Sequence, residues 1–461
     1  MLGNLRRLLD RQRALAPLLV VGLLLRLLML TWPPFPVDMT DWIAWGERML
    51  QVGPARFYSE SVFADYAPGY LYVTWLVAAL KNGLLPGTGR APYELIYRLI
   101  PIGFDLLTAV LIARIVTSAL QRGAADDPAF VRRAALLAAA GHALNPAVIF
   151  NSAAWGQIDG VFTFFALLAL DLLLRGRAEW AVCSYVVAFL IKPQSISLAP
   201  LIGLTLLLRY PAQRWLRAGA AGLALAYVAL LPFFGLNPFG LVELLQRSVE
   251  TYPYTSLFTY NLWGIYGFWR DDTVASSLGP SLRTLGTLLY LVGLVYGCAA
   301  LLRRLWISRD DPATVYIGAT YFAFLPVMVL TRMHERYLYP VLPLLLISVF
   351  AAWRPAAPLG LRRFVLSLPS ALFAVLTALH TLNLYHVYTF YQNDQRVPRS
   401  NALFYFIDSQ PKLWSALTLL IFAIVAGWLA VGVRLWPARL PASARGEASA
   451  VGASPPERSG G

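Results

Sequence analysis

Long apolar segments alternate with short polar loops from one end of the chain to the other. Runs of roughly 17–25 apolar residues are the signature of membrane-spanning helices. The pattern predicts about twelve spans (range 11–13), near residues 14–32, 95–120, 133–150, 160–175, 179–194, 196–209, 217–236, 283–304, 313–331, 336–353, 364–385 and 413–435. We therefore expect an all-α, polytopic transmembrane bundle forming a single domain over residues 1–436. The remainder, 437–461, is rich in Pro, Ser, Gly and Ala and predicts a disordered cytoplasmic tail.

The arginines between the apolar segments indicate the orientation of the bundle. Six arginine groups after the first span all lie inside if the N-terminus is inside, as the positive-inside rule requires: 122–133, 175–177, 209–217, 303–309, 354–363 and 434–439. Counting Tyr70–Leu85 as a span would reverse all of them. We therefore predict an interfacial helix there, within a first outer loop at 33–93. Trp42, Trp45 and Met49 share a face of another predicted interfacial helix, with the tryptophans at the headgroup level.

The composition excludes a soluble protein and gives no sign of a nucleic-acid partner. Of 461 residues, 58% are hydrophobic and 13% are charged, which is too little charge for a soluble surface of this size. The net charge of +14 comes from arginines that flank the spans. Cys183 and Cys298 lie within apolar segments, so neither a disulfide framework nor a metal-ligand spacing is expected. Usage rich in Arg and Ala and poor in Lys favours a bacterial plasma membrane, with a periplasmic or extracellular outer face.

Polar residues cluster on the predicted outer face in spite of the apolar surroundings. They are the acids Asp38, Asp41 and Asp65, the segments 155–159 and 332–337, and the helix break at Lys192-Pro193-Gln194. Ionisable groups at the edge of a bilayer are costly, so their convergence predicts one hydrated site. Arg26 and Arg98, near outer span ends, could extend to the interface, and Asp105 could pair with Arg98.

Each of these polar residues also has an ordinary structural interpretation. Asp38 is either a helix N-cap or a general base whose proton affinity is raised by partial desolvation. Asp41 suits a helix cap or a first-turn charge, and Asp65 and Asp159 suit helix caps. Lys192 either reaches the interface or binds phosphate.

Other side chains in these clusters suit contacts with a sugar or a phosphate. Trp155 and Gln157 form a typical sugar-contacting pair. Arg336 and His334 suit phosphate oxygens, with Glu335 as a counter-charge.

Taken in order, these motifs resemble those of the GT-C superfamily of glycosyltransferases, which use polyprenyl-phosphate sugars. They are most similar to bacterial relatives of GPI mannosyltransferase II. The shared elements are Asp38 with Trp45, Asp65-Tyr66-Ala67-Pro68, Asn145-Pro146 with 156–159, Lys192-Pro193-Gln194, and 334–340. Two departures stand out: Ala67 replaces the usual second proline, and Asp41 is a competing acid.

The resemblance implies transfer of a hexose from a polyprenyl-phosphate donor to an acceptor hydroxyl on the outer face, with inversion of the anomeric configuration. Mannose is the first candidate for the hexose. Asp38 would be the catalytic base. Substrate contacts would come from Asp41, Asp65, Tyr66, Trp155, Gln157, Asp159, Lys192, Gln194, His334, Glu335, Arg336 and Tyr337. Expected partners are the lipid donor, a glycan, lipid or protein acceptor, and the bilayer. No cofactor is expected, with a divalent metal left open. The alternatives are a transporter or flippase of lipid-linked sugars, which predicts a midplane site on broken helices, and a membrane scaffold.

Overall fold

The computed structural model describes residues 2–59, 62–122, 127–307, 311–352, 367–392 and 401–432, with side chains from Leu15 onward. The tail predicted at 437–461 lies outside these residues. The described chain is almost entirely helical. Its only β structure of more than one residue is a two-stranded parallel ladder of β1 (Ser256–Leu257) and β2 (Met333–His334). This confirms the predicted all-α class.

Eighteen α-helices make up the described chain. In order they are α1 (Leu2–Met29), α2 (Pro36–Val52), α3 (Pro68–Leu84), α4 (Ala91–Arg122), α5 (Pro128–Ala143), α6 (Pro146–Ile149), α7 (Asp159–Leu174), α8 (Ala178–Ile191), α9 (Ala199–Arg209), α10 (Ala212–Phe234), α11 (Gly240–Glu250), α12 (Leu262–Tyr266), α13 (Leu282–Ile307), α14 (Pro312–Val329), α15 (Val341–Ala351), α16 (Leu368–Tyr391), α17 (Ala402–Asp408) and α18 (Pro411–Val431).

A helix lies at each of the twelve predicted spans, but the helices differ greatly in length. Six of those described are long and apolar enough to cross a membrane, namely α4, α10, α13, α14, α16 and α18. The pair formed by α5 and residues 146–155, bent by 44°, would make a seventh. Helices α9 and α15 have only 11 residues each, about half the length a full crossing needs. The polytopic helical bundle is thus confirmed, and the described residues contain six or seven helices that meet the criteria for a full span.

Helices α14 and α15 form the centre of the bundle. Every residue of α15 is buried, and α14 is buried on nearly all sides. Helices that are apolar all round belong in such a core. By contrast α10 and α13 keep large apolar side chains exposed, including Leu223 and Val295, as expected of surfaces that face lipid.

A buried ion pair joins α1 to α4 within the bundle. The Arg26 guanidinium donates to Asp105 Oδ2 through Nε at 3.2 Å and Nη2 at 3.1 Å, and both side chains are fully buried. Arg98 instead donates to the carbonyls of Trp32 and Ala153. Both the pairing of Asp105 with Arg98 and the interfacial position of Arg26 were therefore wrong predictions, because hydropathy does not show which helices are neighbours.

The first outer loop folds into α2 and α3, which pack against each other and against α4. Trp42, Trp45 and Met49 are almost fully buried on the inner face of α2. The Trp42 ring lies 5.6 Å from that of Tyr70 on α3. These tryptophans therefore contact protein rather than lipid, because α3 and α4 cover the face that an isolated interfacial helix would turn to lipid.

Candidate active site

Asp38 lies in the first turn of α2, with its carboxylate turned away from the helix. Pro36 occupies the first helical position and Phe35 is the N-cap, with no side-chain capping bond. The Asp38 Oδ2 atom accepts hydrogen bonds from Trp155 Nε1 at 2.7 Å and Gln157 Nε2 at 2.8 Å. The N-cap interpretation of Asp38 is therefore wrong, and its carboxylate contacts a distant part of the chain.

The other proposed caps fail in the same way. The N-cap of α3 is Ala67 and that of α7 is Ile158, so neither Asp65 nor Asp159 has that role. Asp159 is the first residue of α7, and its Oδ2 atom accepts from Asn151 Nδ2 at 3.1 Å. Asp41 lies inside α2, beyond its first turn. None of the four acids in these segments is used as a cap.

A tight turn after a π-helical segment brings Trp155 and Gln157 to Asp38. The π-helix spans Phe150–Trp155 and ends at Gly156, which has φ +91°. An added Cβ at Gly156 would lie 3.0 Å from Arg98 Cγ, so both backbone and space favour glycine. The Phe35 ring stacks on Trp155 at 4.2 Å, and the Phe35 N–H donates to the Trp155 carbonyl at 2.9 Å. These contacts hold the start of α2 against the turn.

Lys192 follows the last residue of α8 and points into the protein. Its Nζ atom donates to Asp159 Oδ1 at 2.5 Å and to Gln157 Oε1 at 3.2 Å. Only 2% of Lys192 and 1% of Asp159 is exposed. Lys192 therefore does not extend to the interface. It forms a buried ion pair whose carboxylate partner was not foreseen.

Residues 332–336 are held in place by the segment between α11 and α13 (residues 251–281), which we call the outer segment. Strand β2 pairs with β1 in parallel, and Thr259 Oγ1 donates to the Met333 carbonyl at 2.6 Å. Arg332, at φ +66°, donates from Nε to Asp272 Oδ2 at 2.8 Å and from Nη2 to Oδ1 at 2.9 Å. A non-glycine residue in the left-handed region costs energy, which this two-pronged ion pair offsets. The arrangement directs His334 and Arg336 toward α2.

Arg336 connects this segment to Asp38. Its Nη2 atom lies 3.8 Å from Asp38 Oδ1, an ion-pair distance rather than a hydrogen bond. Its Nη1 atom donates to Glu335 Oε1 at 3.1 Å and to His334 Nδ1 at 3.3 Å. The Nε atom is buried without a hydrogen-bond partner among the described residues. The guanidinium is thus shared between two carboxylates and retains an unused donor.

His334 is a neutral imidazole in this setting. Burial lowers its pKa well below the usual value, and the charges of Arg336 and Lys192 lower it further. Because an arginine has only donors, its contact with Nδ1 requires that nitrogen to accept and places the imidazole hydrogen on Nε2. The structure therefore favours a neutral ring that acts through hydrogen bonds.

Burial and neighbouring acids raise the pKa of Asp41 and of Asp65. Partial burial and the charges of Asp38 and Asp65 raise the pKa of Asp41 to about 6. Burial also raises the pKa of Asp65, although Arg336 opposes that shift. Asp41 and Asp65 therefore lie within electrostatic range of Asp38, and Asp41 is part-protonated just below neutral pH.

All thirteen predicted site residues lie in the region around Asp38 and Arg336, in two layers. Eight are partly exposed: Asp38, Asp41, Asp65, Tyr66, Gln194, His334, Arg336 and Tyr337. Five are buried behind them: Trp155, Gln157, Asp159, Lys192 and Glu335. Lys192 Nζ lies 6.0 Å from the Tyr66 ring centre and 5.9 Å from that of Tyr337. The buried layer offers no open surface, so Trp155 has no free face for a sugar.

Three residues of the site escaped the sequence analysis. Asn151 supports Asp159, Asp272 anchors Arg332, and the Tyr252 ring stands edge-on to His334 at 5.5 Å. None belongs to a motif, and only contacts between distant segments reveal them. No cluster of three or more metal-ligating His, Cys, Asp or Glu side chains occurs in the described part of the chain.

Comparisons with known proteins give little beyond this geometry. No family model matches the sequence, and no curated protein does either. Among solved structures, the chain is similar to the crystal structure of ArnT from Cupriavidus metallidurans bound to undecaprenyl phosphate. The match has 17% identity and a TM-score of 0.46, and covers 91% of this chain and 77% of that one. At this level of similarity, function has to be argued from the site itself.

Proposed function

We propose that this protein is a GT-C-type membrane glycosyltransferase that uses a polyprenyl-phosphate sugar as donor. The sugar would be a hexose, with mannose as the first candidate. The acceptor would be a hydroxyl group on the periplasmic or extracellular side of the plasma membrane. The observation that carries the proposal is the juxtaposition of Asp38 and Arg336, with 3.8 Å between carboxylate and guanidinium. It joins a candidate base to a candidate phosphate ligand from opposite ends of the sequence.

Asp38 is suited to take the proton of the acceptor. Its Oδ2 atom already accepts two hydrogen bonds, whereas its Oδ1 atom has no closer partner than Arg336 within the described ranges. The acceptor oxygen would lose its proton to Oδ1 as it bonds to the anomeric carbon. The bond from that carbon to the phosphate oxygen breaks on the opposite side, which inverts the anomeric configuration. A positioned base of this kind contributes about 10²–10⁴-fold in rate.

Arg336 and His334 are suited to the leaving group. As the sugar departs, the lipid phosphate gains one negative charge. The Arg336 Nε donor is unused, and the tautomer of His334 leaves an N–H donor at Nε2. A well-placed donor to such a developing charge is worth about 2.7–4 kcal/mol. The phosphate would compete with Asp38 and Glu335 for the guanidinium, which frees Asp38 to act as base.

The partly exposed residues around this pair are suited to the sugar. Tyr66 and Tyr337 offer aromatic rings, and Asp41, Asp65 and Gln194 offer polar atoms. Aromatic faces with a few converging polar groups are typical of sugar-binding pockets. These residues come from the first outer loop, the break after α8 and the turn before α15, so that one ligand would touch all three.

The test is product analysis with the purified protein in liposomes. Polyprenyl-phosphate mannose, and then glucose, labelled in the sugar, would be supplied with extracted membrane acceptors. We expect label to appear on an acceptor, with the anomeric configuration opposite to that of the donor. Movement of intact donor across the bilayer without sugar transfer would instead support the flippase alternative.

A further inference from the structure

The two oxygens of the Asp38 carboxylate are in different environments. Trp155 and Gln157 both donate to Oδ2, at 2.7 and 2.8 Å. Oδ1 faces Arg336 at 3.8 Å and accepts no hydrogen bond from the described residues. The orientation of the carboxylate therefore depends on the two donors to Oδ2. One of these donors, the Gln157 amide, is itself held in place by other residues.

The Gln157 amide is oriented by its oxygen. Its Oε1 atom accepts from the Ile158 N–H at 2.9 Å and from Lys192 Nζ at 3.2 Å. Both partners are donors, so the oxygen has to lie on their side and the NH₂ group on the side of Asp38. Gln157 is fully buried, which leaves no water-exposed alternative rotamer. Removing Lys192 would remove one of the two contacts that fix this amide.

Lys192 is already committed to Asp159. The two side chains meet at 2.5 Å with almost no exposure, and Asn151 holds the other Asp159 oxygen at 3.1 Å. Drawing the ammonium toward a bound phosphate would leave a buried carboxylate without its partner, which is costly. The phosphate-binding role that the sequence suggests for Lys192 thus conflicts with its surroundings.

We infer that Lys192 is a positioning residue, which together with Asp159 holds Gln157 so that Asp38 presents its free Oδ1 to the acceptor. This inference rests on the proposed function of Asp38 as base. The chain of contacts runs from Asn151 through Asp159, Lys192 and Gln157 to Asp38. It ties the first turn of α2 to the start of α7 and the end of α8.

Several charged and titratable groups surround Asp38. They come from α2, the first loop, the outer segment, the break after α8 and the turn before α15: Asp41, Asp65, Tyr66, Tyr252, Lys192, Glu335 and Arg336. A hydrogen bond donated to a carboxylate polarises the accepting oxygen. Loss of the Gln157 donor should therefore shift the carboxylate stretching band of Asp38, while the charged groups around it stay in place.

The first experiment is a mutant cycle on transfer kinetics in liposomes. Gln157→Leu removes the donor, and the double variant Lys192→Met/Asp159→Asn removes the support while keeping net charge constant. We expect each to lower kcat by on the order of 10²-fold, since misplacing a reacting group has that effect, with KM for the donor unchanged. Their combination should be no worse than Gln157→Leu alone, because residues acting in one chain are non-additive. Additive losses with a raised donor KM would assign Lys192 to the phosphate and overturn the inference.

The second experiment does not require turnover. The carboxylate stretching band of Asp38 can be assigned by infrared spectroscopy, as the band that disappears in Asp38→Asn. We expect this band to shift in the same direction in Gln157→Leu and in Lys192→Met/Asp159→Asn, because both changes take the Gln157 donor away from Oδ2. Lys81→Met is the matched control, because Lys81 is also buried but contacts Asn82 rather than these residues, and it should leave the band unchanged.

The two experiments separate the two claims. A wild-type protein that transfers no sugar from any polyprenyl-phosphate donor would refute the proposed function, while the infrared band would still decide the positioning of Asp38. An unshifted band in Lys192→Met/Asp159→Asn, in a protein that folds as the wild type does, would refute the positioning role even if transfer is active.

Discussion

Two arginine–aspartate pairs in this protein have opposite characters. Arg26 and Asp105 are fully buried, and every oxygen of Asp105 is used: Arg26 takes Oδ2, and Tyr339 donates to Oδ1 at 2.6 Å. Arg26 also donates to the carbonyls of Gly22 and Ala143. Arg336 and Asp38 are partly exposed, lie 3.8 Å apart, and leave both an N–H and an oxygen without a hydrogen bond among the described residues.

The difference shows how a structural charge pair can be told from a reactive one. A buried pair is tolerated only when its hydrogen-bonding capacity is satisfied, and the Arg26 pair meets that condition. The Arg336 pair does not, since Arg336 Nε and Asp38 Oδ1 have no hydrogen bond among the described residues. Burial and satisfaction predict a role in stability, whereas exposure and unused capacity predict a role in binding.

The largest effect should come from breaking the satisfied pair. Arg26→Met leaves Asp105 as an uncompensated buried carboxylate, and we expect a loss of about 3–5 kcal/mol in unfolding free energy. Denaturant unfolding in detergent would measure it. The double variant Arg26→Met/Asp105→Leu should recover most of the loss, because an apolar pair replaces the buried charges. A single variant as stable as the wild type would contradict the structural role of this pair.

The unsatisfied pair should respond in activity rather than in stability. Arg336→Lys keeps the charge but loses the fork and its unused Nε donor. We expect kcat to fall by about 10²–10³-fold, with the unfolding midpoint unchanged. Arg90→Lys is the matched control, since Arg90 forms a solvent-accessible pair with Glu94 at the start of α4. This variant should keep full activity. A variant at Arg336 that unfolds without losing specific activity would place this pair with the structural one.

A smaller effect is expected at Asp272, which stabilises the chain segment that leads into the site. Asp272 is fully buried and accepts from Thr331 and Arg332, which together set the path of the chain into His334. Asp272→Asn weakens charge-assisted hydrogen bonds worth about 1.5–3 kcal/mol. We expect both a lower unfolding midpoint and a raised KM for the donor, measured by thermal unfolding and transfer kinetics. A change in only the unfolding midpoint or only the KM would show that the outer segment does not position the site.

The smallest effect should be a pH dependence that originates at Asp41. Its pKa rises from 3.8 in the unfolded chain to about 6 in the folded protein, so the folded state binds the proton more tightly. Stability is therefore greatest below pH 3.8 as far as this group is concerned, and falls as pH rises through 6. Thermal unfolding of Asp41→Asn should lack this part of the decline. Parallel pH profiles for variant and wild type would contradict the shift.

The helical class and the clustering of these polar residues could be predicted from the sequence for a physical reason. Apolar runs and arginine placement report directly on the membrane, and polar residues that survive at its edge are few enough to be noticed. The positions of Asp38, Gln157, Lys192 and Arg336 on one face followed from parity alone. The structure then brings them into contact.

The sequence could not predict which side chain contacts which. Lys192 was interpreted as reaching the interface or binding phosphate, because Asp159, 33 positions away, gave no sign of being its partner. Trp155 was interpreted as a sugar platform because stacking by Phe35 is a tertiary contact. Likewise Arg26 was assigned to the interface, since pattern shows depth in the bilayer but not the neighbour that compensates a charge.

The central claim is that the free oxygen of Asp38 takes the acceptor proton, and the most direct measurement compares the two neighbouring acids. Initial rates of sugar transfer would be measured for Asp38→Asn and Asp41→Asn in the same liposomes. We predict a loss of about 10²–10⁴-fold for Asp38→Asn, with its fold intact, and retained transfer for Asp41→Asn. Transfer that persists in Asp38→Asn and is lost in Asp41→Asn would move the base to the other acid and contradict the account.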